Sequence, residues 1–168
     1  PSKGQFYIAF NRFSAYKFFE GKEGVPLIRQ FIKRHPTDYS CLRVHGAHPW
    51  SVSLVGENAI DCGGPGRELF TSICDEIVHP MLGIFVPTPN SKKNIGDFEL
   101  MPNINNRKEM KAAGAFISAC FITKLQYPFS IASYVWKAIT GSQLTIYDVY
   151  DIDQSFESLI ISLKSSTY

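Results

Sequence analysis

A mainly α domain with small β-hairpins, an α+β fold, is what the sequence predicts, and three observations carry that expectation. Apolar residues recur at helical spacing in several separate stretches, most clearly Leu69, Phe70, Ile73, Cys74, Ile77 and Val78. Period-two alternation, by contrast, is confined to short runs such as Trp50-Ser-Val-Ser-Leu54. Glycine and proline punctuate the chain between them, most densely in Asp61-Cys-Gly-Gly-Pro-Gly-Arg-Glu68. Strand, glycine loop and helix in that order form the unit around which the rest is arranged.

Bulk properties narrow the class. The chain has 168 residues, enough for one domain with a sizeable core, and needs neither metal nor disulfide to fold. Seventeen basic and 15 acidic residues leave a formal charge of +2, too small to argue for a nucleic-acid or membrane surface, so proteins or small molecules are the expected partners. Cys41, Cys62, Cys74 and Cys120 are widely spaced with no Cys-x-x-Cys pair, which fits reduced thiols in a cytoplasmic or nuclear protein. No apolar run reaches the length of a membrane span and no leader precedes the first element, so a soluble chain is expected. Its start at Pro1 suggests a piece of a longer protein.

The N-terminal stretch from Gln5 to Phe19 is crowded with aromatics, and its spacing leaves helix and irregular structure both open. Rings beside Arg12 and Lys17 suit base stacking, but rings packed on a core are the expected reading. Val25 to Arg34 reads as an amphipathic helix with Pro26 in its first turn, ending at His35-Pro36 and packed on the helix after the glycine loop. Tyr39 to Val44 reads as a second strand, turned back by His45-Gly-Ala-His48-Pro onto the Trp50 strand. His45 and His48 lack the further ligands of a metal site, and neither metal nor cofactor is expected.

Farther on, Met81 to Asn90 is apolar and then proline-broken, and Phe98 to Pro102 is expected to pair with it as a hairpin. Arg107 to Lys124 is the most apolar helix, with Gly114 and Ser118 spaced to let a neighbouring backbone approach. Ser130 to Ile139 and Thr145 to Val149 read as further helices. A last helix, capped by Asp153 or Ser155, carries Phe156, Leu159, Ile160 and Leu163.

A glycine loop before a helix invites a phosphate, since free amides there favour anions. Gly63-Gly-Pro-Gly66 fits neither the Gly-x-Gly-x-x-Gly order nor a P-loop, and Asp61 and Glu68 would repel phosphate. Cys62 is placed for a nucleophile favoured by the helix dipole, yet no histidine is near in sequence and a small buried thiol is the commoner fate of cysteine. The expected role of Asp61, Gly63, Gly64, Arg67 and Glu68 is therefore structural, with ion pairs and hydrogen bonds bracing the loop.

These residues resemble a known family. Trp50-Ser-Val-Ser-Leu-Val-Gly-Glu57, Ile60-Asp-Cys-Gly-Gly-Pro-Gly-Arg-Glu68 and Pro80-Met-Leu-Gly-Ile-Phe85 look like the opening of the HECT ubiquitin-ligase domain. Val86-Pro-Thr-Pro-Asn90, the Gly114 helix, Leu125 to Pro128, Val135-Trp-Lys137, Leu144-Thr-x-x-Asp148 and Phe156-x-Ser-Leu159 follow in the family's order. Pro-Thr-Pro-Asn and Val-Trp-Lys, with Phe10-Asn-Arg12 and Ala15, are most similar to the branch of large HECT ligases with upstream β-propeller repeats.

The resemblance implies that residues 1–168 are a partial HECT domain, the large subdomain of its N-terminal lobe. Residues 1–49 would lead into it and 153–168 would begin the connection to a smaller subdomain. It implies an enzyme that takes ubiquitin from a conjugating enzyme as a cysteine thioester and passes it to lysines of protein substrates. None of the four cysteines falls at the family's nucleophile, so this stretch alone is expected to be inactive, its partner lobe lying beyond it. Leu159 and Leu163 resemble the rim of the conjugating-enzyme site, and equally suit the apolar stripe of a terminal helix. Two other readings stay open: a non-catalytic interaction module on the same fold, and a nucleotide-binding enzyme using the glycine loop.

Overall fold

The computed structural model describes residues 7–42, 51–57 and 64–166. Over the described residues it is mainly helical, with two two-stranded sheets. The chain divides into two compact units, one built from Pro1–Ile84 and Ile104–Pro128, the other from Phe85–Asn103 and Phe129–Tyr168.

In the first unit, β1 (Tyr7–Phe10) leads into α1 (Arg12–Phe19), whose N-cap Asn11 accepts a hydrogen bond from the Ser14 amide. The open choice at the N-terminus thus resolves into a strand and a helix. Phe10 is fully buried, Phe18 and Phe19 are half-buried, and Phe13 and Tyr16 are exposed, so only part of the aromatic run packs on a core.

Next comes α2 (Leu27–Arg34). Pro26 stands at its N-cap, one position before the first turn, and offers no side-chain cap. The connection from α1 to α2 lies flat on α1, where the Val25 amide donates to the Ser14 carbonyl and hydroxyl. A Cβ on Gly24 would sit 2.1 Å from the Ser14 carbonyl oxygen and 2.7 Å from the Phe18 nitrogen. Both obstacles are backbone, so Gly24→Ala is expected to cost about 1–3 kcal/mol in denaturant unfolding. Gly21→Ala carries no such clash but forces a side chain into positive φ.

The second strand candidate is not a strand over its described part. Ser40–Leu42 is a 3₁₀ turn, because the Asp38 carboxylate accepts from both the Ser40 amide and its hydroxyl and bends the backbone. Cys41 and Leu42 are both buried, where a half-buried strand would expose one of the two. Residues 43–50, with His45, His48 and Trp50, lie outside the described residues. The partner of β2 (Ser51–Leu54) is β1, in parallel, with Ile8 opposite Val52 and Phe10 opposite Leu54. Parallel strands need a crossover, and α1 and α2 provide it.

Asp61 and Gly63 lie outside the described residues, and α3 (Gly64–Val78) begins earlier than expected. Gly64, Pro65 and Gly66 form its first turn rather than a loop; proline's fixed φ suits that turn, where no intrahelical partner for its nitrogen is needed. Leu69, Phe70, Ile73 and Ile77 are buried as their spacing predicts, each worth roughly 1.5–3 kcal/mol of transfer.

The last helix of this unit is α5 (Arg107–Thr123), reached after β3 (Phe85–Pro87), α4 (Pro89–Lys92) and β4 (Leu100–Pro102) of the other. It ends at Lys124, in the left-handed conformation at φ 55°. Helices α2, α3 and α5 pack on one another around Phe31, Phe70 and Phe116. Gly114 and Ser118 do not meet a neighbouring backbone: both are exposed, and a Cβ on Gly114 would meet nothing within 4 Å.

In the second unit, β3 (Phe85–Pro87) and β4 (Leu100–Pro102) form the expected antiparallel hairpin, with α4 (Pro89–Lys92) between them. Three helices follow, α6 (Ser133–Ile139), α7 (Ile146–Ile152) and α8 (Gln154–Ser165). Among the described residues no helix is long and apolar enough to cross a membrane.

Candidate functional site

At the first turn of α3, Arg12 from the start of α1 reaches two carboxylates at once. Its Nε donates to Glu57 Oε1 at 2.9 Å, its Nη2 to Glu57 Oε2, and its Nη1 to Glu68 Oε1 at 2.6 Å. The fork of the guanidinium matches the Glu57 carboxylate in bidentate fashion. Its hydrogen bonds raise the Arg12 pKa and hold Glu57 below the ordinary carboxylate value. One cation thereby ties the turn after β2 to the N-terminal part of α3. Of the predicted brace, Glu68 accepts from Arg12, Gly64 opens the helix, and the Arg67 side chain is exposed while its carbonyl accepts from Thr71 Oγ1.

A cleft of ≈ 200 Å³ runs beside this bridge, between α1 and α3, lined by Tyr16, Phe19, Glu76 and His79 among others. Glu76 is a buried carboxylate of the first unit that sequence reasoning missed. Its Oε1 accepts from the Leu27 amide and its Oε2 from the Ile28 amide, each at 2.9 Å, so α3 supplies the cap that Pro26 cannot. Burial raises its pKa to about 7, against the pull of the two amides and of Arg29. A glutamate flanked by Ile73, Cys74 and Ile77, inside an apolar stripe, was the available signal. Among the described residues no group of three or more histidine, cysteine or acidic side chains could hold a metal.

In the second unit the residues that carried the resemblance form a polar frame. Thr88 caps α4, accepting from the Ser91 amide, and Asn90 clamps the junction of the last two helices. Its Nδ2 donates to the Asp151 carbonyl and its Oδ1 accepts from the Gln154 amide, each at 2.9 Å. Asp148 is buried as the reciprocal partner of Thr145 in a capping box on α7, and it accepts from Lys137 Nζ at 2.5 Å. That pair lowers the Asp148 pKa and raises that of Lys137. Trp136 Nε1 donates to the Ile131 carbonyl. Within Pro-Thr-Pro-Asn, Val-Trp-Lys and Thr-x-x-Asp, the side chains of Thr88, Asn90, Trp136 and Asp148 close on main-chain groups and Lys137 closes on Asp148, which ties those residue types to their spacing.

Residues 71–168 match the family model described as HECT-domain (ubiquitin-transferase). The chain belongs to the HECT-domain family. It is similar to the E3 ubiquitin-protein ligase HERC2 of Homo sapiens, 28% identical over 114 residues that make up 64% of this chain and 2% of the relative. The protein of the same name from Mus musculus is 30% identical over 115 residues, again 64% of this chain and 2% of the relative. The chain therefore spans about 2% of the length of these curated relatives.

Within the span matched to the HECT family, Asp153 caps α8, accepting from the Ser155 and Phe156 amides. Leu159 and Leu163 stand on that helix, 54% and 57% exposed, near the equally exposed Ile161 in sequence.

Proposed function

We propose that this chain is the scaffold portion of a HECT-type ubiquitin ligase, in which ubiquitin passes from a conjugating enzyme to a ligase cysteine as a thioester and then to a substrate lysine. The family match over residues 71–168 carries the reading, and the printed name of the relatives supports it. On this reading residues 1–168 are the large subdomain of the N-terminal lobe, with 1–49 leading in and 153–168 opening the connection to the smaller subdomain. The acceptor cysteine lies outside these 168 residues. Burial of Cys41, Cys74 and Cys120 supports that, because a thioester sulfur must meet both a conjugating enzyme and a lysine. Leu159 and Leu163 form the rim of the conjugating-enzyme site, and ubiquitin and protein substrates are the other partners, in the cytoplasm or nucleus.

Two reactions test this. The 168-residue chain, mixed with a conjugating enzyme charged with ubiquitin, is expected to give no reductant-sensitive adduct on a non-reducing gel; an adduct on Cys62 would overturn the placement of the nucleophile. The gene product that carries the chain is expected to give such an adduct, and failure there would make the chain an interaction module on a HECT scaffold.

A further inference from the structure

We infer that Cys74 and Cys120 are an oxidisable pair, which a hydroperoxide converts into an intramolecular disulfide that staples α3 to α5. Their sulfurs are 4.0 Å apart, between two helices that pack directly on one another, and 46 positions separate them in sequence. A disulfide needs about 2.05 Å between sulfurs, so the gap to close is about 2 Å, within reach of side-chain rotation and a small helix shift.

The two thiols are not equivalent. Cys74 is wholly buried, and its hydrogen bond to Cys120, followed by burial, pushes its pKa up. That same bond holds the Cys120 thiol below its ordinary value, and Cys120, in the last turn of α5, keeps 7% of its surface exposed. Cys120 is therefore the sulfur that meets the oxidant, and Cys74 the one that resolves it. In the first step the Cys120 thiolate attacks a peroxide oxygen, the O–O bond breaks, and with one proton the products are the sulfenic acid and water. In the second the Cys74 sulfur attacks Cys120, a second water leaves, and the S–S bond forms. Two thiols and one hydrogen peroxide give one disulfide and two waters.

The partner of each sulfur can be read without any substitution. Trypsin places Cys41, Cys62, Cys74 and Cys120 in four different peptides, 35–43, 44–67, 68–92 and 112–124. After stoichiometric hydrogen peroxide and alkylation under non-reducing conditions, mass spectrometry is expected to find 68–92 joined to 112–124, 2 Da below the sum of the two thiol peptides. Dithiothreitol should release them. The oxidised chain should melt on the order of 5–10 °C higher than the reduced one, a difference that Cys74→Ser removes. Peptides that stay separate, Cys120 carried on to the sulfinic acid, or a link to Cys41 or Cys62 instead would each overturn the pairing. None of these readouts involves ubiquitin, so the outcome is independent of the ligase reading.

Discussion

Phe116→Ala is expected to lower the unfolding free energy by about 3–5 kcal/mol, enough to remove most of the stability of a domain this size. Phe116 is 0% exposed on α5, and its ring centre lies 5.0 Å from that of Phe31 on α2 and 5.2 Å from that of Phe70 on α3. Edge-on to the first and tilted to the second, its ring meets an aromatic ring from each of the other two helices. Truncation removes those ring contacts and leaves a cavity that three packed helices cannot close without losing contacts of their own. Phe116→Leu, which keeps most of the volume, should cost roughly half as much or less. Urea titrations followed by far-UV circular dichroism read both variants. A Phe116→Ala midpoint within error of the parent would mean that the three helices do not share one core.

Glu76→Ala carries the second large effect, about 3 kcal/mol, since it strands the Leu27 and Ile28 amides in the interior. The carboxyl also imposes a pH dependence. With a folded pKa of about 7 against an ordinary 4.5, the folded chain holds a proton that the unfolded chain has released between those values. Stability contributed by this group is thus complete below pH 4.5, falls as pH rises through the window, and is lost above 7, by about 3 kcal/mol in all. Glu76→Gln keeps the shape but cannot titrate, and it turns an NH₂ toward one of the amides. Its stability should be lower at pH 5.5, with a flatter profile from there to pH 8. Equal slopes for parent and variant, in urea melts at constant ionic strength, would place the titration elsewhere.

Much of this architecture was legible in the residues. Helices α2, α3, α5 and α8 announce themselves by apolar spacing, and the β3–β4 hairpin by its proline-bounded runs, because each of those signals is local. Pairing of β1 with β2 was not, since a parallel contact across two helices depends on where the crossover lays the chain down. Ser40–Leu42 was misread for a different reason: alternation of size looked like a strand, while one aspartate upstream decided the backbone. The site shows the same division. Glu68 was singled out as part of a brace, but its partner Arg12 stands 56 residues away, and no spacing rule joins them. Thr145 and Asp148, by contrast, stand three apart in one of the stretches that carry the family resemblance, and the structure closes them into a capping box.

The order in which the two units share the chain bears on synthesis. Phe31 and Phe70 leave the ribosome well before Phe116, with the whole of β3, α4 and β4 made in between. At roughly 5–20 residues per second, those rings wait on the order of a few seconds without the third member of their cluster. The nascent polypeptide therefore passes through a stage in which an aromatic surface is open to chaperones, and codon-dependent pauses before α5 would lengthen it.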